Sequence, residues 1–195
     1  MPCFTPGTVI ATRTGERAVE DLGVGDRVIT RDNGVQEIRW TGRRVLDYGR
    51  LATSGHLRPV LIAKGSLGHG LPERDMLVSP NHRILVPSDR TMLLFAEHEV
   101  LVAAKHLIDN RLIRPVHVLG VTYVHFMCDR HEVVLADGTW AEAFHPGDYS
   151  LNGLGNAQRS EILELFPELA ETAAGKTEGR ARRASKRPEV SPLRH

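Results

Sequence analysis

Cys3 heads a β-rich stretch and is followed by Phe4-Thr5-Pro6-Gly7-Thr8. Its thiol stands beside the peptide bond that precedes it, where a thiolate could act as nucleophile. A buried small hydrophobe is the other reading of a free cysteine. A second candidate is Ser79-Pro80-Asn81-His82. Leu77-Val78 precedes it and Ile84-Leu85-Val86 follows, so Pro80 turns the chain between two strands. Ser79 and His82 then project from one rigid turn, as general acid/base work requires; a capping Ser and a surface His are the plain alternative. A third stretch, Tyr123 to Glu132, holds His125, Cys128 and His131. Those three resemble a metal set, and a zinc-binding protein is one alternative reading. Strand alternation opposes it, because His125 and Cys128 would face opposite sides of a continuous strand. Zinc also needs a fourth ligand or an open water position.

The elements that must position these groups are short strands. Thr8–Thr12 ends in Arg13-Thr14-Gly15, and Arg27–Arg31 ends in Asp32-Asn33-Gly34. Asn-Gly suits the positive φ values of a tight hairpin, so Val35–Trp40 is expected to pair back. Val60–Ala63, Met76–Ser79, Arg83–Val86, Pro115–Val118 and Val121–Met127 are further strands, and Val133–Leu135 and Thr139–Ala141 flank a turn at Ala136-Asp137-Gly138. Closely spaced strands with turn signals predict an all-β fold. Glu99–Leu107 reads as a short helix. Asn156–Phe166 reads as a better one, capped by Asn156 and stopped by Pro167. Val19-Glu20-Asp21-Leu22…Asp26-Arg27-Val28 is echoed by Ala104-Lys105-His106-Leu107…Arg111-Leu112-Ile113, which suits two similar β halves.

Composition sets the outer bounds. The chain has 195 residues, 25 Lys+Arg against 24 Asp+Glu, and a net charge of +1. Such a balance excludes a strongly basic nucleic-acid binder, and no nucleic-acid partner is expected. The two cysteines exclude a disulfide framework and a four-Cys zinc site. No apolar run approaches the roughly 20 residues of a membrane span. The start carries no signal peptide. No membrane partner is expected, and a cytoplasmic location is the default. From Glu171 to His195 seven Lys+Arg face three acidic residues, with almost no large apolar side chain. The expected division is a domain over residues 1–170 and a basic, disordered tail over 171–195.

Taken together, Cys3-Phe4-Thr5-Pro6-Gly7-Thr8, Val19-Glu20-Asp21-Leu22…Gly25-Asp26, Ser79-Pro80-Asn81-His82 and Asp129-Arg130-His131-Glu132-Val133-Val134…Asp137-Gly138 resemble a Hint domain. That module is shared by Hedgehog autoprocessing domains and inteins, and the bacterial Hint group is the nearest in pattern. The resemblance runs from Cys3 to about Leu169. It implies a horseshoe-like all-β fold of two pseudo-symmetric halves, closed by a short C-terminal helix. It also implies that Cys3 attacks the carbonyl before it, turning an amide into a thioester. Ser79, standing where the family has Thr, would orient the scissile peptide, and His82 would protonate the departing nitrogen. His131 matches the later His of the intein pattern, and His125 would take the assisting role of the acidic residue that inteins carry after the Tyr. No cofactor or metal is implied. Water or a small thiol is the simpler acceptor, since no sterol-recognition region follows. Only Met1 and Pro2 precede Cys3 here, so the expected partner is an N-terminal passenger absent or truncated in this sequence. Action of the same pocket on another acyl group, or an inactive Hint fold that binds a partner, are the other readings.

Inteins end in His-Asn, whose Asn cyclises to release the downstream segment. Four and five residues past Gly138 this chain has Glu142-Ala143. With no side-chain amide there, a fusion carrying passengers on both sides should yield no ligated product, and its downstream passenger should stay attached. Mass spectrometry of that double fusion checks this; a spliced product would mean that the closing motif lies elsewhere.

Overall fold

A computed structural model describes residues 3–87, 99–143, 145 and 156–169, with backbone alone at Pro87, 156–159 and 162. In chain order the strands are β1 (Val9–Thr12), β2 (Gly15–Ala18), β3 (Arg27–Thr30), β4 (Gly34–Glu37), β5 (Trp40–Asp47), β6 (Val60–Ile62), β7 (Met76–Val78), β8 (Arg83–Pro87), β9 (Glu99–Ala103), β10 (Ile113–Pro115), β11 (Gly120–Met127), β12 (Glu132–Ala136) and β13 (Thr139–Ala143). Helix α1 covers Tyr48–Thr53 and α2 covers Asn156–Leu165. The fold is all-β, as the strand spacing predicts.

The largest sheet runs β2-β1-β3-β12-β13-β8-β9, with β4 added to β3. A second runs β10-β6-β7, and β11 pairs with β5 as a long ribbon. Every pairing is antiparallel, and pairings such as Ile10↔Ala136 join strands far apart in the sequence. The internal echo is real in three dimensions. Val19–Asp21 and Ala104–His106 are both 3₁₀ turns, entered through Ala18 at φ −63°, ψ 139° and Ala103 at φ −66°, ψ 138°. One leads to β3 and the other to β10.

The turns follow their residues. Asp137 and Gly138 have φ of 45° and 77°, the pair of positive values that a two-residue hairpin between Ala136 and Thr139 demands. The Asn33-Gly34 turn differs from expectation. Thr30 pairs with Gly34, so the loop has three residues, Arg31 to Asn33, and Gly34 begins β4. Trp40 also leaves this hairpin to pair with Met127 in the ribbon.

Two further expectations are corrected. Glu99–Leu107 is not a helix: Glu99–Ala103 pairs residue for residue with Arg83–Pro87, and only Ala104–His106 turns. The β-branched Val100 and Val102 suit the pleat, and the pairing with β8 overrides a weak helical pattern. The strand proposed at Pro115–Val118 instead ends at Pro115, having paired Ile113–Pro115 with Val60–Ile62. The helix at Asn156 ends at Leu165, just before the expected Phe166. The tail over 171–195 lies outside the described residues.

Phe4 ties the sheets together. It bridges Val78 of β7 and Val124 of β11. Its N–H donates to the Val124 carbonyl at 3.0 Å and its carbonyl accepts from the Val124 N–H at 2.9 Å. The Phe4 ring is 1% exposed and stacks on Phe126 at 5.9 Å. Phe4→Ala should therefore cost about 3–5 kcal/mol of unfolding free energy, the usual range for a buried Phe. Urea unfolding measures this; a loss below about 1 kcal/mol would show that this first segment is peripheral to the core.

Candidate active site around Cys3

The two neighbours of Phe4 are fixed by the same strand pairing. Successive residues point to opposite faces, so Phe4 joins the core of Ile10, Val78, Val124 and Phe126. Cys3 joins a second cluster with Leu57, Tyr123, Met127, Leu165 and Phe166. Tyr123 and Met127 lie on one face of β11, and His125 lies between them on that face, opposite Gly42. His125 is 1% exposed and tilts against the Trp40 ring at 6.0 Å. Gly42 must be glycine for this packing: a Cβ there would come within 2.1 Å of the Trp40 ring and 2.8 Å of Phe166.

The backbone of Cys3 is clamped by the turn after β7. Its N–H donates to Ser79 Oγ at 3.1 Å, and its carbonyl accepts from the Ser79 N–H at 3.0 Å. The Cys3 nitrogen belongs to the peptide bond linking Pro2 to Cys3. The turn is itself held: the His82 N–H donates to the Ser79 carbonyl at 3.0 Å, the Ala104 N–H to the His82 carbonyl at 2.8 Å, and the Lys105 N–H to the Pro80 carbonyl at 2.9 Å. His82 is fully buried, edge-on to the Phe4 ring at 4.4 Å.

Burial governs the electrostatics. It pushes the Cys3 thiol well above its ordinary value, and Glu161 adds to that direction. It pulls His82 down to about 3, against a raising contribution from the Cys3 backbone, with His125 lowering it further. The resting site thus holds a neutral thiol and a neutral imidazole near pH 7.

The structure brings Cys3, Ser79 and His82 together, with His125 on the thiol's face and within electrostatic reach of His82. His131 follows the end of β11 and pairs with Glu142 of β13, Nε2 to Oε1 3.4 Å. Cys128 is buried in the Phe4 core. His125, Cys128 and His131 do not converge, and among the described residues no group of three or more His, Cys, Asp or Glu could hold a metal ion. These three residues therefore do not form one zinc site.

Sequence reasoning missed two groups. Glu161 of α2 is 4% exposed and accepts a hydrogen bond from Asn81 Nδ2, tying the last helix to the Ser79–His82 turn. Tyr123 donates its hydroxyl to the Leu57 carbonyl at 2.7 Å beside Cys3. In the sequence Tyr123 only opens the stretch that holds His125 and His131, and Glu161 only opens a closing segment that resembles the end of bacterial Hint domains.

An all-β fold that presents a main-chain amide of its own first strand segment to a Ser and a buried His has the architecture of the intein-like class. The chain belongs to the Hint domain family, whose profile matches residues 2–148, more than half of its length. Hint domains are autoprocessing modules, and this chain is one of that kind. Similar solved structures include the bacterial intein-like domain from Clostridium thermocellum, with 18% identity, 73% of this chain and 99% of that one covered, and a TM-score of 0.48. The Msm DnaB1 intein splicing domain bound with zinc has 11% identity, coverage of 71% and 98%, and a TM-score of 0.47. A DnaB intein from Synechocystis sp. PCC 6803 has 9% identity, coverage of 74% and 100%, and a TM-score of 0.43. Among curated proteins none matches the chain.

The depressed His82 value carries a sign that can be checked. Its folded value lies below its unfolded one, so between about 6.5 and about 3 the unfolded chain binds the extra proton. The stability it contributes is full above pH 6.5 and is lost as pH falls through that window. His82→Asn should flatten the acid side of the stability profile relative to wild type. Parallel profiles from thermal melts between pH 7 and 4 would mean that His82 titrates normally in the folded chain.

Proposed function

We propose that the module performs a Cys3-dependent N-to-S acyl shift on a passenger joined to its N-terminus, giving a thioester that water or a small nucleophile cleaves, without splicing. The Cys3 sulfur adds to the carbonyl carbon of the preceding residue. The C–N bond then breaks, and the nitrogen leaves as the α-amine of Cys3 after taking a proton. The observation that carries this reading is the Ser79 clamp: the nitrogen that must leave is the one whose N–H is held on Ser79 Oγ at 3.1 Å.

The proton has to be relayed. The thiol is neutral at rest, so it loses its proton as it attacks, and the departing nitrogen gains one. His125 stands on the thiol's face and is the acceptor in this account. The proton then passes from His125 to His82, which packs against the Cys3 backbone and hands it to the departing nitrogen. The low value of His82 makes the imidazolium a strong acid once formed, which suits protonation of a poor leaving group.

One observation favours a second reading, a non-catalytic Hint-fold interaction module. Cys3 is 0% exposed, and buried cysteines with raised values are unreactive in the resting state. A passenger fusion separates the two. On the catalytic reading, thiol or hydroxylamine releases the passenger from wild type and not from Cys3→Ala. His82→Ala should slow release by about 10²–10⁴-fold, more than Ser79→Ala does. Equal release from the Cys3→Ala fusion would remove the thioester route, and no release from wild type would leave the interaction module.

A further inference from the structure

The β10-β6-β7 sheet has one end beside Cys3. There β6 starts at Val60, opposite the last residue of β7, Val78, and the last of β10, Pro115. The Val116 N–H donates to the Pro59 carbonyl at 3.0 Å, so the β6–β10 register runs on past the strands. Carried one step further, it sets His117 opposite Arg58, and the β6–β7 register sets Arg58 opposite Pro80. Lys105 joins this end from the Ala104–His106 turn, its N–H donating to the Pro80 carbonyl at 2.9 Å. A cleft of about 440 Å³ opens here, and its lining includes His56, Arg58, Pro80, Asn81, Lys105 and His117. Among the described residues no carboxylate lines it. The α2 carboxylates that reach its lining are engaged: Glu164 pairs with His56 at 3.1 Å and with Arg50 at 3.0 Å, and Glu161 accepts from Asn81. Arg58, Lys105 and His117 form no ion pair with a described carboxylate.

The same end of the sheet receives whatever is joined to Cys3. Phe4 bridges Val78 antiparallel, and Cys3 is held by the hydroxyl and N–H of Ser79. That register leads the residue before Cys3 alongside Pro80, with Arg58 on the far side of Pro80. An extended chain advances about 3.3 Å per residue, so the residues further upstream run out beside the cleft. A peptide arriving there meets positive side chains with no lining carboxylate to balance them, and acidic side chains complement that field.

We propose that this cleft is a passenger subsite that selects acidic side chains at the second and third residues before Cys3, with Arg58 and Lys105 as the recognising groups. This rests on the thioester reading above, in which those residues belong to the segment being released. Ser79 holds the scissile bond on the side of its nitrogen. The cleft anchors the chain on the side of its carbonyl, so the bond is positioned from both directions before Cys3 attacks.

The test joins passengers ending in Asp-Glu-Gly, Gln-Gln-Gly or Lys-Lys-Gly directly to Cys3, so that the scissile residue is always Gly. Release by mercaptoethanol at low salt is followed by mass spectrometry. The acidic passenger should leave about 3–30-fold faster than the lysine one, as two partly exposed ion pairs would give, and high salt should shrink the difference. Arg58→Glu combined with Lys105→Glu should reverse the order. Each ratio is taken within one chain, so a general loss of rate cancels. If the double variant does not fold, Lys105→Glu alone, at an exposed position, should shrink the ratio. Equal rates for the three passengers in wild type, or an acidic preference that survives charge reversal, would overturn the proposal. Equal rates together with faster release by the anionic thiol mercaptoethanesulfonate than by mercaptoethanol would overturn it in favour of an acceptor site. If wild type releases no passenger, the thioester reading fails by itself, and the intact fusions are compared by NMR. Side-chain shifts of Arg58 and Lys105 peculiar to the Asp-Glu-Gly fusion would then support the subsite, and identical spectra would overturn it.

Discussion

Phe4 shares its main chain with Val124 and its bridge with Val78, and the site depends on that pairing. Strand alternation at this one residue decides that Cys3 faces Tyr123 and Met127 while Phe4 faces Phe126. Hydrogen bonding then leaves Cys3 only one continuation, the Ser79 turn, which supplies a hydroxyl acceptor for its N–H and an N–H donor for its carbonyl. The backbone N–H and C=O groups of Cys3 and Phe4 are thereby satisfied, and Cys3 is held by the same bonds that close the core.

The second constraint is desolvation. Burial raises Cys3, lowers His82 and, on β13, raises Glu142. One cause drives all three toward their neutral forms. A site without resting charge suits a reaction in which charge develops only in passing, because each group must be ionised by its neighbour and not by solvent. The same dryness explains how a free thiol can sit in a folded chain without standing reactivity.

Much of this was legible in the residues. Short β-rich runs separated by Gly and Asp turns gave the all-β class, and Asp137-Gly138 gave its hairpin because φ > 0 at both positions is a local demand. Cys3, Ser79 and His82 were legible through their neighbours in sequence, since each sits in a distinctive short motif. The failures share one physical origin. Glu99–Ala103 became a strand because β8 offered a partner, and pairing is not encoded within those five residues. Glu161 reaches the turn only because α2 returns to the start of the chain. Glu142 was visible only as the absence of an asparagine. Its contact with His131 is made across the β12–β13 hairpin, and its burial depends on the packing of the finished sheet.

The account's central claim is that Ser79 holds the nitrogen of Cys3. Amide hydrogen exchange of the folded chain reads that bond directly. The Cys3 amide should exchange slowly in wild type, and Ser79→Ala should speed it selectively, leaving the Phe4 amide protected by the Val124 carbonyl. A Cys3 amide that exchanges at the rate of an unstructured residue, or one that Ser79→Ala leaves unchanged, would contradict the clamp and the chemistry built on it.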